Sequence, residues 1–120
     1  MQARAYSPAV VTTGGKTLWL AGQTSLESLD GKPLAGDFEG QARDVFARLN
    51  ATLGHAGAGL TDMVTMTVCI TDSRHGTRFT EIRREVFGDN FPASAMITVH
   101  GLAQPGMLVE VQGIAVVGDQ

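Results

Sequence analysis

The chain has 120 residues, enough for one packed core and too few for two. Its composition, 43% hydrophobic and 18% charged, is that of a globular domain and excludes a disordered or low-complexity segment. A formal net charge of −3, with no run of lysine or arginine, argues against a nucleic-acid binder that works by neutralising phosphates.

The single cysteine, Cys69, has no partner for an internal disulfide, as expected in a reducing compartment. The first nine residues carry neither an apolar stretch nor a positive cluster, so no secretory signal is expected. No apolar run approaches the roughly 20 residues of a membrane helix. The expected setting is the cytoplasm, with no membrane partner.

In chain order, residues 10–13 and 17–21 are β-rich runs joined across Gly14-Gly15, which predicts a hairpin. A loop over residues 22–36 follows, containing Asp30-Gly31 and Pro33. Asp37 is a cap for a helix running to about His55. Phe38, Ala42, Val45, Phe46, Leu49 and Leu53 recur at helical spacing and form its buried stripe, with Glu39, Arg43, Asp44 and Arg48 largely outside. Gly54, Gly57 and Gly59 end it.

Residues 63–71 form the next strand. A shorter helix fits 75–87, with Phe79, Ile82 and Val86 inward and Arg78, Glu81, Arg84 and Glu85 outside that stripe. Pro92 interrupts the chain before a strand over 94–99, and residues 108–117 form the last one. The order ββαβαββ reads as an α+β sandwich, one sheet with two helices on one face, over the single domain 1–120. The last strand is apolar or uncharged on both parities apart from Glu110, so a lone chain would leave much of the second sheet face in water. Such a face predicts self-association.

Four segments then resemble a known family. They are Ala5-Tyr6-Ser7-Pro8, Leu20-Ala21-Gly22-Gln23, Asn90-Phe91-Pro92-Ala93 and Val109-Glu110-Val111-Gln112-Gly113-Ile114-Ala115. In order and spacing they are similar to the motifs of the Rid (YjgF-type) family. The resemblance implies a chorismate-mutase-like fold and a homotrimer with its sheets inward, with ligand clefts between neighbours. It also implies hydrolysis of reactive imines or enamines, without metal or organic cofactor. Such a site needs a guanidinium fork for the substrate carboxylate, backbone donors near a glycine and an acid that positions water. Gly22 fits the glycine and Glu110 the acid.

The arginine does not carry over. Where the family's enzymes read Phe-Pro-Ala-Arg, this chain reads Phe91-Pro92-Ala93-Ser94, and two positions on Met96 replaces a small thiol. This resembles the arginine-lacking branches of the family, and standard 2-imino acids are not the expected substrates. Arg4, Lys16, Arg74, Arg78, Arg83 and Arg84 are the candidate replacements. The helix arginines are expected on a solvated face paired with Glu81 or Glu85, and Arg4 lies closer in sequence to Tyr6.

The expected ligand-contacting residues are therefore Tyr6, Gly22, Phe91, Ser94 and Met96, with Glu110 catalytic. Tyr6 either covers the cleft or packs on a neighbour, and Phe91 is a cleft wall or a core residue. His100 ends the Ser94 strand and reads more simply as a turn residue than as a base. Cys69 reads as a small buried hydrophobe. His55, His75 and His100 have no metal-site spacing, and no phosphate loop is present. The alternative to a hydrolase or deaminase is a trimer that binds a small molecule without catalysis. RNA cleavage, known for some relatives, lacks a basic stripe to support it.

Overall fold

The computed structural model describes residues 4–118. Its strands are β1 (Lys16–Gln23), β2 (Met63–Ile70), β3 (Ala93–Thr98) and β4 (Val109–Val117), and its helices are α1 (Phe38–Gly54) and α2 (Gly76–Phe87). They form one mixed sheet in the order β1-β4-β2-β3. β4 runs antiparallel to both β1 and β2, while β2 and β3 are parallel through the α2 crossover. The last strand therefore fills the central slot left open by the β1–α1–β2 unit.

Local chemistry sets the helix ends. The Asp37 carboxylate accepts from the Gly40 amide at 2.9 Å and caps α1 as its sequence position predicts. Gly88, with φ of 67°, ends α2 in a conformation that disfavours a side chain. The apolar stripes of the two helices meet through Phe46, whose ring lies 5.6 Å from that of Phe79 and 5.7 Å from that of Phe87. Beneath them lie Met66, Val68, Ile70, Val109, Val111 and Ala115, all buried.

The predicted hairpin is only half present. Gly14 and Gly15 take positive φ and lead into β1, but residues 10–13 join no ladder, and Val11 is 91% exposed. Four residues with no apolar surface to cover gain too little from pairing to offset their ordering.

Two polar residues of α1 are buried, contrary to the stripe reading for Asp44. Its carboxylate accepts from Ser25 Oγ at 2.6 Å, Arg48 Nε at 2.7 Å and the Leu29 amide at 3.0 Å, tying the β1–α1 loop to the helix. Gln41 donates to the carbonyls of Leu34 at 2.8 Å and Gly106 at 2.7 Å, and accepts from the Leu108 amide at 2.8 Å. It thereby joins the two longest loops.

The opposite face is uncovered. Trp19 is 78% exposed there, in a row with Ile114, Thr65 and Ala93, and Ile97 is exposed beside them. The two-sided apolar character read from the sequence is thus a real feature of the sheet.

The Asp44 cluster yields a pH prediction. Burial opposes ionisation of Asp44, yet Ser25, Arg48 and the Leu29 amide outweigh it and hold the carboxyl below its usual range. A depressed folded pKa contributes stability above the unfolded value, about 3.9, and loses it as pH falls through the folded one. Asp44→Asn should cost about 1.5–3 kcal/mol at pH 7. Denaturant unfolding should show that gap closing below about pH 4.

Candidate functional site

The helix-covered side of the sheet opens at the β3 edge into a cleft of about 590 Å³, bounded by α2, β3 and the N-terminal segment. Tyr6, Ser94 and Met96 line it, as strand alternation on β3 predicts for the last two, together with Arg4, Thr77, Thr80 and Arg83. No acidic residue lines it, so the cleft is locally cationic although the chain is net negative.

Arg83 corrects the expectation that the helix arginines are solvated. Arg43, Arg74 and Arg78 do lie at the surface in ion pairs. Arg84 lies over the Phe91 ring, 5.5 Å from its centroid. Arg83 is 3% exposed. Its Nη1 donates to Ser94 Oγ at 2.7 Å, and its Nη2 to the Arg4 carbonyl at 3.1 Å. Its guanidinium stands 5.4 Å from the Phe79 ring centroid, and Nε is buried without a partner. Among the described residues no carboxylate forms an ion pair with it. Burial lowers its pKa to about 10, with the nearby Tyr6 acting in the opposite sense, so it remains protonated at neutral pH.

The N-terminal segment closes one side of this arrangement. Ser7 donates to the Phe91 carbonyl at 2.6 Å, and its amide bonds the Pro92 carbonyl at 2.9 Å. Ala5 is fully buried at a φ of 59°, a costly conformation for a residue with a β-carbon. That turn brings the Arg4 carbonyl to Arg83 and Tyr6 to the cleft.

Glu110 lies elsewhere. It pairs with Cys69 on β2 and belongs to the open sheet face, opposite in parity to Val109 and Val111, which are buried under the helices. A register shift in β1 between Leu20 and Gln23 brings Gly22 against it. A β-carbon at Gly22 would fall on the Glu110 carboxylate, so the glycine is needed for this close approach. No hydrogen bond or ion pair engages the Glu110 side chain among the described residues. The structure thus joins Gly22 with Glu110, and Tyr6 with Ser94 and Met96, but places the two groups on opposite faces.

Two further expectations change. Of its two readings Phe91 takes the second: its side chain is in the core beneath Arg84 and does not line this cleft. Cys69 is half-buried on the open face rather than in the core, following the parity of Glu110. His75 stacks on Phe38 at 4.1 Å, and His100 lies exposed beyond β3. No grouping of three potential metal ligands occurs among the described residues, and no helix there is long and apolar enough to cross a membrane.

The family model described as Endoribonuclease L-PSP matches residues 1–117. The chain belongs to the Rid (YjgF) family. A RutC family protein of Pyrococcus horikoshii is 32% identical over 92% of this chain and 85% of its own. The human 2-iminobutanoate/2-iminopropanoate deaminase is 28% identical over 94% of this chain and 80% of its own. A Rid-family protein of Yersinia pestis superposes with a TM-score of 0.86 at 25% identity, covering 98% of this chain and 91% of that one. In this Rid-fold chain the expected site residues thus fall into two groups, one on each side of the sheet.

Sequence reasoning placed Arg83 among the replacement cations but on the wrong surface. The signal was present: Phe79, Ile82, Arg83 and Val86 follow the i, i+3, i+4, i+7 spacing of one helical face, so Arg83 lies on the buried stripe. The Gly22–Glu110 contact is testable without a ligand. Gly22→Ala should displace the Glu110 side chain while changing unfolding free energy by less than about 1 kcal/mol. A crystal structure of the variant with a denaturation curve checks both.

Proposed function

We propose that this Rid-family chain is a hydrolase or deaminase of a small reactive imine or enamine, bound in a cleft between subunits of a homotrimer. The carrying observation is that the family's acid position, Glu110, and the cationic cleft at Ser94 lie on opposite faces of one chain. A ring of heterologous contacts brings different patches of neighbouring chains together, so the acid of one subunit faces the cleft of the next. The exposed row around Trp19 and Ile97 is the surface that such a ring buries. The deaminase names of the human relative and of a Dermatophagoides farinae relative, 26% identical, support the reaction class.

In this reading the substrate's C=N carbon is attacked by water as Glu110 takes a proton from it. That proton goes on to nitrogen and gives the carbinolamine; the carbinolamine hydroxyl proton then passes by way of Glu110 to the amino nitrogen as the C–N bond breaks, and ammonia leaves with a C=O in place of the imine. Each step conserves the elements of imine plus water, and none calls for a cofactor. Gly22 keeps space for the carboxylate to swing between water and leaving nitrogen. Simple 2-imino acids are slow substrates in this scheme, because Ser94 offers one hydroxyl where a guanidinium fork would make paired charged bonds. At about 1.5–3 kcal/mol for such a bond, the deficit is roughly tenfold to a few hundredfold.

Ammonia release from enzymatically generated imines tests the activity. Glu110→Gln should lower it by about 100-fold or more, with melting temperature and assembly retained. A loosened trimer with undiminished turnover would make Glu110 a structural residue. Subunit mixing tests the shared cleft. Glu110→Gln and Ser94→Glu should each be inactive, and their co-refolded mixture should recover about a quarter of the clefts if three chains assemble at random. No recovery would place the whole site within one chain.

A further inference from the structure

Arg83 is a buried cation whose compensation is incomplete. A charge removed from water needs a counter-charge or a full set of hydrogen bonds. Arg83 has Ser94 Oγ, the Arg4 carbonyl and, at 3.8 Å, Met66 Sδ, all neutral, and its Nε has nothing. It nevertheless borders an open cleft with no acidic residue in its wall. Arg43, Arg74 and Arg78, at the surface, each pair with a carboxylate, whereas Arg83, buried, has none among the described residues.

The Ser94 hydroxyl follows from donor and acceptor rules. A guanidinium can only donate, so Ser94 Oγ is the acceptor of the 2.7 Å bond. The hydroxyl's own proton then points away from Arg83, and Ser94 donates to no other described group. Because Ser94 lines the cleft, that proton is available to a ligand, on an oxygen polarised by the cation behind it.

We propose that Arg83 and Ser94 together hold the carboxylate of a small organic acid, the strand hydroxyl contacting the ligand and the helix guanidinium supplying the charge from behind. This deepens the imine-hydrolase reading and rests on it for the substrate class. It places the charge on α2, so that Ser94 relays a cation rather than marking its loss. Met96, whose side chain also packs on the core, forms the apolar wall beside the carboxylate. Arg83 acts through Ser94 and is therefore a positioning residue.

Calorimetric titration with 2-oxobutanoate, its methyl ester and inorganic phosphate tests this on the full chain at low salt. The acid should bind saturably, and the ester and phosphate at least tenfold more weakly. Arg83→Gln should weaken the acid at least tenfold and leave the ester unchanged, with Ser94→Ala weakening it less. Adding Ser94→Arg to Arg83→Gln should restore acid binding, because the charge returns from the strand side; a merely structural Arg83 would not be rescued this way. If Arg83→Gln fails to fold, Ser94→Ala and the ester control decide the matter with Arg83 in place. Equal binding of acid and ester, preference for phosphate, or undiminished acid binding by a folded Arg83→Gln or by Ser94→Ala would each overturn the proposal. Loss of carboxylate recognition with ammonia release intact sinks this inference alone, whereas carboxylate binding without ammonia release sinks only the hydrolase reading.

Discussion

The structure depends on β4 occupying the centre of the sheet. It follows the other three strands in sequence, yet it supplies the hydrogen-bond partners of both β1 and β2, so neither of those is paired on that side until β4 is in place. Its alternation assigns two jobs to adjacent residues. Val109 and Val111 anchor the core beneath the helices, and Glu110 between them is held on the other face. A one-residue slip would bury the carboxylate in an apolar core and expose both valines, a loss large enough to fix the register. The position of the acid is therefore a by-product of core packing rather than of any local motif.

The same logic on α2 explains the cation. About one to two turns past its start, α2 presents Phe79, Ile82 and Arg83 toward the sheet, and two of those side chains are apolar. The third remains charged because its aliphatic stem packs like a hydrophobe while its tip reaches Ser94 and the Arg4 carbonyl. Stability alone would be better served by an apolar residue there, since a buried cation with neutral partners is costly. The buried turn at Ala5, which presents that carbonyl, adds a second local cost at the same place. Two unfavourable features meeting at one cleft fit a site shaped for a ligand.

How much of this was legible in the sequence divides by the range of the interaction. Helix stripes, the Asp37 cap, the glycine stops and the strands from Met63 onward are short-range patterns, and each stands within a residue or two of its expected place. The uncovered sheet face was also legible, because period-two alternation in the last strand shows both faces at once. What escaped is long-range or parity-dependent. Residues 10–13 carry a strand's composition but find no surface to bury. Asp44 looks like a solvent-facing position of α1 until the β1–α1 loop, 15 to 19 residues away in sequence, closes over it. The site motifs singled out Ser94 and Glu110 without saying that one faces the helices and the other faces away. Arg83 belonged to the stripe by spacing and was set aside by residue type, since charge is a poorer guide to burial than helical position where the side chain is long.

Moving a cation from strand to helix changes what a cleft can distinguish. A fork reaching the ligand directly fixes a carboxylate in plane and direction through paired bonds. A serine hydroxyl backed by a guanidinium offers one rotatable donor, so it recognises the charge while constraining the carboxylate plane much less. Orientation then falls to the rest of the wall, where Met96 is flexible and apolar and Tyr6 is the one aromatic side chain. Under the proposed carboxylate recognition, such a cleft would admit acids of varied shape and discriminate mainly between charged and uncharged ligands. In the proposed reading, the precision needed for attack on the C=N carbon comes from Gly22 and Glu110, whose backbone positions are set by the sheet register.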